Sequence, residues 1–162
     1  MIRPLEEAVD SGAVLDLYRR AADYVDFESG REPDAELVRE FFRDAPPNGD
    51  PSASLKLGLF EDGRLQGAAD LAFGYPEPRD AYLGLMLFAT EARGCGLGRD
   101  FLRHVERAAR ERSATRLLLA VLEGNAKGRA FWEREGFGTP RVYPAVPMGN
   151  RSHVRIRLEK PL

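Results

Sequence analysis

Leu55, Leu57 and Leu59 recur at period two, as do Leu65, Gly67, Ala69, Leu71 and Phe73, and Glu61-Asp62-Gly63 stands between the two runs. This alternation predicts an antiparallel hairpin closed by an Asp-Gly turn. After a loop containing Pro76 and Pro78, Ala81 to Phe88 is apolar on both faces, as a central strand covered on both sides should be. The spacing then changes. Leu97, Phe101, Leu102, Val105, Ala108 and Ala109 share one helical face from Leu97 to about Arg112, and Leu117 to Leu122 reads as a further buried strand. Strand, helix and strand in this order imply parallel pairing with a right-handed crossover, which brings the carboxyl end of the first strand and the amino end of the helix to one sheet edge.

The flanking segments are mostly helical. Ile2 to Leu5 is a short first strand, and Asp10-Ser11 can cap a helix whose apolar face is Val14, Leu15, Leu17, Tyr18, Ala21 and Ala22. A second helix runs from Asp34, a capping residue after Pro33, through Leu37, Val38, Phe41 and Phe42, and ends before Pro46-Pro47-Asn48-Gly49. A last helix, Ala126 to Glu135, closes at Gly136, and strands around Arg141 to Val146 and Val154 to Leu158 suggest another antiparallel hairpin. No internal repeat is visible.

With 162 residues, 43% hydrophobic and 31% charged, the chain is expected to form a single globular domain over residues 1–162. Its longest uncharged run, Ala81 to Thr90, is ten residues, against roughly 18 for a membrane-spanning helix. Met1 to Glu7 lacks the apolar stretch of a secretory signal, so the expected location is the cytoplasm, with no membrane partner. Cys95 is the lone cysteine and there are two histidines, His104 and His153, a poor kit for a structural metal, so none is expected. The net charge of −2 hides an asymmetry. Residues 1–92 carry 19 Asp/Glu and 9 Lys/Arg, net −10, whereas residues 93–162 carry 7 and 15, net +8. An anionic ligand would prefer the second half. The basic residues are scattered without interleaved aromatics, which argues against nucleic acid as that ligand.

The sharpest chemical signal is Arg93-Gly94-Cys95-Gly96-Leu97-Gly98-Arg99, three glycines in five residues at a helix start. Glycines let backbone N–H groups approach a ligand closely, and the unpaired N–H groups at the positive helix end form an anion site suited to phosphate or pyrophosphate. A tight turn with a glycine cap is the plainer alternative. Two nucleotide loops are excluded: Gly98 is followed by Arg99-Asp100 rather than Lys-Ser/Thr, and Arg99 stands where a dinucleotide fingerprint needs glycine or alanine.

The remaining pattern, Arg-x-x-Gly-x-Gly from Arg93 to Gly98, resembles the acetyl-CoA signature of the GNAT superfamily of N-acetyltransferases. The order of elements is similar too, down to Asn125 and Phe131-Trp132-Glu133-Arg134-Glu135-Gly136-Phe137. The resemblance implies an α/β fold: a GNAT-type mixed sheet with an antiparallel N-terminal hairpin, a central parallel strand-helix-strand unit and flanking helices. It also implies acetyl-CoA as co-substrate. The CoA site would take the backbone of Met86, Leu87 and Phe88 for pantetheine and Arg93, Gly94, Cys95, Gly96, Leu97, Gly98 and Arg99 for pyrophosphate, with Asn125 and Phe131 as further contacts. Asn125 could equally cap the last helix, and Phe131 and Trp132 could be core packing. Cys95 has no activating neighbour in sequence and is read as a loop residue rather than a nucleophile.

By the same resemblance a neutral amine attacks the thioester directly, and a backbone N–H of the central strand stabilises the oxyanion. Trp132 occupies the position where many members carry a tyrosine that protonates the leaving thiolate, and indole cannot do so. Candidates for proton transfer are Tyr82, placed on the face of Gly84 and Met86; Asp70, placed with Gln66 and Ala68 opposite Leu65, Leu71 and Phe73; and Tyr143, if the tail hairpin returns it to the cleft. Asp70 could equally be a solvated strand residue. The alternative function is a catalytically inactive acyl-CoA-binding sensor or partner-binding module. The acceptor, a small-molecule or peptide amine, and the acyl length stay open, as does a homodimer.

Overall fold

The Asp62-Gly63 turn forms as the hairpin requires, with φ of 50° and 75°, the left-handed pair of a two-residue turn that matches strand twist. In the computed structural model, which describes residues 1–162, it joins β2 (Leu55–Glu61) to β3 (Arg64–Phe73). The other strands are β1 (Ile2–Pro4), β4 (Asp80–Phe88), β5 (Arg116–Leu122), β6 (Gly138–Met148) and β7 (Arg151–Pro161). All seven make one mixed sheet in the order β1-β2-β3-β4-β5-β7-β6, and only β4 and β5 run parallel. Helix α4 (Leu97–Glu111) is the crossover between them. The expected α/β architecture is therefore observed, with strand and helix limits shifted by a few residues.

Two apolar layers clamp the sheet. On one face α4 buries Phe101, Leu102, Val105 and Ala109 against Leu57, Leu71, Leu83 and Leu119, with Phe131 and Trp132 of α5 (Ala126–Arg134) at the margin. On the other, α1 (Glu7–Arg20), α2 (Ala22–Ser29) and α3 (Ala35–Arg43) bring Val14, Leu17, Tyr18, Val25 and Phe41 onto Leu65, Ala68 and Leu87. No helix is long and apolar enough to cross a membrane.

Three differences from the sequence expectation have physical causes. The first helix starts at Glu7, before the expected Asp10-Ser11 cap. Asp10 instead reaches back, accepting from the Glu6 N–H at 2.8 Å and from both terminal nitrogens of Arg3. The helical stretch then breaks at the fully buried Ala21, so there are three helices before β2 rather than two. The Arg20 carbonyl freed by that break accepts from Thr90 Oγ1 at 2.8 Å.

The third difference matters most for function. Extra residues interrupt the ladders, Gln66 between β3 and β2 and Gly84 between β4 and β3. Each bulge flips side-chain parity. Leu65 therefore lies on the α1–α3 face with Ala68, not opposite Asp70's set, and Tyr82 lies across the sheet from Met86 rather than beside it. The layers agree: Ala81 and Leu83 face α4, whereas Leu85 and Leu87, beyond the bulge, face the N-terminal helices.

Candidate active site

The parallel ladder is short. β4 and β5 pair from Asp80–Arg116 to Leu83–Leu119 and no further, so the strands part just where the bulge at Gly84 begins. The closed end of this fork is tied by Arg116, whose Nε and Nη2 donate to the two Asp80 oxygens at 2.9 and 2.6 Å and whose Nη1 donates to Glu159. That guanidinium holds the Asp80 carboxyl below its ordinary range. Beyond the fork point Gly84 is exposed and Leu85, Met86 and Phe88 are half-buried, a central strand with one open edge.

At the same edge the glycine-rich loop enters α4. Gly94 and Gly96 have φ of 77° and 90°, conformations that side chains resist, and space is open around both. No backbone N–H from Gly94 through Arg99 donates to a protein acceptor; the first such bond is Asp100 N–H to Gly96 O. Six donors at a helix N-terminus thus point away from the fold, which is the chemistry an anionic phosphate group requires.

The side chains around the loop mostly hold it in place. The Arg93 guanidinium is committed to Asp23 at 2.6 and 3.1 Å and to the Phe88 carbonyl, locking the loop to α2. Arg99 Nε donates to Glu135 at 3.0 Å. Cys95 is exposed, and its thiol donates to the Ala92 carbonyl at 3.2 Å. Asn125 caps α5 by accepting from the Gly128 N–H at 3.0 Å. Phe131 lies 3.4 Å from where a Cβ on Gly98 would sit, so it walls the loop's inner side. Trp132, half-buried, makes edge contacts with Phe131 and Phe137 at centroid separations of 4.9 and 5.4 Å and packs against the core.

On the α1–α3 face, next to the fork, lies a cavity of about 200 Å³ bordered by Tyr18, Tyr24, Glu28, Asp44, Asp70 and Met148. Asp70 is not a solvated strand residue. Its side chain is 8% exposed and its Oδ1 accepts from Lys56 Nζ at 2.6 Å, while Lys56 also donates to the Asp44 carbonyl at 3.0 Å. The pair is possible because the ladder sets Lys56 directly opposite Asp70. The other oxygen, Oδ2, has no protein partner and lies 3.1 Å from a Cβ that Gly84 lacks, so the glycine keeps it open to the fork. Burial pushes the Asp70 carboxyl up against the opposing pull of Lys56.

The two tyrosine candidates share this face of the sheet but lie outside the cavity. Tyr82 stacks edge-on against Tyr75 at 5.4 Å, and burial raises its phenol. Tyr143, on the outer strand β6, accepts from Arg157 Nη1 at 3.0 Å. Neither borders the Asp70 cavity. A residue absent from the sequence reading does: Glu28, beside the Tyr24 hydroxyl, whose carboxyl burial also raises. One more acidic residue in an acid-rich helix carries no distinguishing signal, and only the docking of α2 on β7 turns it inward.

Comparison with known proteins bears on this arrangement. No curated protein matches the chain. Among solved structures, an acetyltransferase from Thermus thermophilus is 25% identical, with 100% of this chain and 96% of that one covered at a TM-score of 0.77. A ribosomal-protein-alanine N-acetyltransferase from Brucella melitensis superposes at 24% identity and TM-score 0.74, covering 100% and 99%. The PaiA N-acetyltransferase from Thermoplasma acidophilum in complex with coenzyme A does so at 18% and 0.67, covering 100% and 98%. The model of the acetyltransferase (GNAT) family matches residues 13–137, from α1 through the fork and the glycine loop to the end of α5, and the chain belongs to that family.

Proposed function

We propose that the protein is an N-acetyltransferase that moves the acetyl group of acetyl-CoA to an amine by direct attack on the thioester. The observation that carries this reading is the alignment of three features at one sheet edge: the unpartnered N–H groups from Gly94 to Arg99, the open edge of β4 past Leu83, and the free carboxylate oxygen of Asp70 beside Gly84. Acetyl-CoA would supply an activated acyl group on a thioester. The loop N–H groups bind its pyrophosphate, and the open edge of β4 accepts the pantetheine arm as an added strand.

Asp70 serves as proton acceptor. An alkylammonium near pKa ~10.4 is charged at neutral pH and has no lone pair to attack with. Asp70 Oδ2 takes its first proton while the Glu28 and Asp44 side of the cavity favours the cationic approach. Nitrogen then bonds to the acetyl carbon and the carbon–sulfur bond breaks. The second amine proton ends on the departing thiolate, and because a thiol has a pKa near ~8.5, water can deliver it without a dedicated acid. That accords with Trp132 packed against Phe131 and Phe137 at the margin of the core. A backbone N–H of β4 beyond the fork polarises the thioester oxygen as charge develops there.

The test is release of free CoA from acetyl-CoA in the presence of an amine panel, with donor binding followed separately. Release that depends on the amine supports the reading. Tight donor binding without release for any amine would make the protein a binding module instead.

A further inference from the structure

The α1–α3 face of the sheet continues past the Asp70 cavity without a helix over it. On β7, His153, Arg155 and Arg157 project on this face in succession. His153 is pinned at α2, its Nε2 within 3.0 Å of the Phe27 carbonyl and 2.9 Å of the Glu28 carbonyl. Arg155 and Arg157 follow, opposite Leu122 and Ala120 of β5. Ala120 is small and exposed, so it leaves a shallow floor between β4 and β7. Continued one residue past its last pair, the parallel register sets Ala120 level with Gly84, which lies beside Asp70 on β3; Asp70 is thus three strand spacings, or roughly 14 Å at the backbone, from Arg157. A separate hollow of about 620 Å³, bordered by Arg116, Arg141 and Arg157, lies toward the closed end of the fork.

The charges here are uncompensated. Arg141, Arg155 and Arg157 converge on Tyr143, with guanidinium carbons 5.2 and 5.7 Å from its ring centre for Arg141 and Arg155 and a 3.0 Å bond from Arg157 to its hydroxyl. None of the three makes a salt bridge, and the nearby carboxylates Asp80 and Glu159 are both held by Arg116. Arg155 Nε is buried without a hydrogen-bond partner, the one such side-chain atom in the chain. Its terminal nitrogens also lack a protein partner but are not enclosed, so they remain open to an anionic ligand. The cleft thus has a carboxylate wall at Asp70 and Glu28 and a guanidinium wall at Arg155 and Arg157.

We infer that the acceptor is an amine that itself carries a carboxylate, held by Arg155 and Arg157 while its amino group lies at Asp70. The inference rests on the acetyl-transfer reading and adds the substrate class to it. Guanidinium suits the role because its planar fork matches a carboxylate and the Tyr143 ring preorganises it.

The experiment compares kcat/KM for common amino acids with the amines left by removing their carboxylates, in the wild-type protein and in Arg155→Met and Arg157→Met. Within each pair the carboxylate-bearing member should be favoured. Charge-assisted hydrogen bonds of this kind correspond to about tenfold to a hundredfold, so the ratio should fall by that much in Arg155→Met and be partly restored in Arg155→Lys. Using the ratio removes any loss from misfolding, which would lower both members together. Transfer that proceeds with a ratio near one, or with a ratio untouched by either substitution, overturns the inference and leaves acetyl transfer standing. A preference for peptide amino termini that lack a nearby carboxylate overturns it as well. Should no amine release CoA, acetyl transfer itself fails. The second readout is then calorimetric binding of N-acetylated amino acids to the CoA-loaded protein, and absence of Arg155-dependent binding overturns the inference too.

Discussion

Replacing Asp70 by asparagine keeps the shape of the side chain and removes its ability to take a proton. A positioned general base typically contributes ~10² to 10⁴ in rate, so kcat for Asp70→Asn should fall by about a hundredfold or more. The substitution also touches stability, since Lys56 is 6% exposed and loses its countercharge. Removing one member of a buried pair outright costs ~3–5 kcal/mol. Asparagine still offers an oxygen at the 2.6 Å position, and the Asp44 carbonyl stays at 3.0 Å. The expected loss is therefore about 2 kcal/mol, or roughly 4–8 °C in Tm for a chain of this size.

The double variant Lys56→Met/Asp70→Asn separates the two effects. With the orphaned ammonium gone, Tm should recover most of that loss, because buried pairs exchanged for packed neutral groups are often no less stable. kcat should not recover. The pH profile gives an independent readout. Burial raises the Asp70 carboxyl, so the acidic limb of kcat/KM should lie above the ordinary aspartate value of ~3.9 and vanish in the variant. The matching stability term has the opposite sign from that of an acid whose carboxyl is lowered: it favours the folded state at low pH and is lost as pH rises through the raised value. Stopped-flow or thiol-trapping assays of CoA release, with melting curves alongside, measure all three quantities. A variant that keeps kcat within about tenfold and retains the wild-type acidic limb would show that the proton leaves by another route.

Three further outcomes follow from the same geometry. Acetyl-CoA at about 100 times its Kd should stabilise the fold by ~2.7 kcal/mol. Gly98→Asp should abolish that rise in calorimetry yet fold, since its Cβ would meet Phe131 at an ordinary 3.4 Å while its carboxylate repels phosphate. Asp80→Asn should lower stability at neutral pH by about 1–2 kcal/mol, a figure discounted because Arg116 is 34% exposed. As Arg116 lowers the folded-state Asp80 carboxyl, its stabilisation is present above the ordinary aspartate value and lost as pH falls through the lowered one, so urea titrations of variant and wild type should converge in acid. Trp132→Phe should cost about 1 kcal/mol of aromatic packing in melting curves while steady-state kcat changes by less than about twofold.

What the sequence made legible was local. The Asp62-Gly63 turn and the glycine loop are fixed by conformations that few residues adopt, so their chemistry can be read within a handful of positions. Parity across the sheet is not local. Gln66 and Gly84 carry nothing in their own neighbourhood that marks a bulge; the slip exists only in register with the partner strand. Reading straight alternation through Gly84 put Tyr82 on the face of Met86, whereas the bulge puts it on the face of Asp70. The same reading placed Asp70 with Ala68 because no bulge lies between them, but its burial depended on Lys56 opposite and on α3 above. The division of the first helical stretch at Ala21 was hidden for a related reason: neither proline nor glycine stands there, and the freed Arg20 carbonyl is satisfied by Thr90, remote in sequence. That contact joins the end of α1 to the residues before the glycine loop, and Arg93 with Asp23 adds a tie to α2. The acidic helices are thus latched to the glycine-rich loop by Arg93. It ties α2, which carries Glu28, to the glycine-rich loop, so under the proposed function it would couple the donor loop to the acceptor wall.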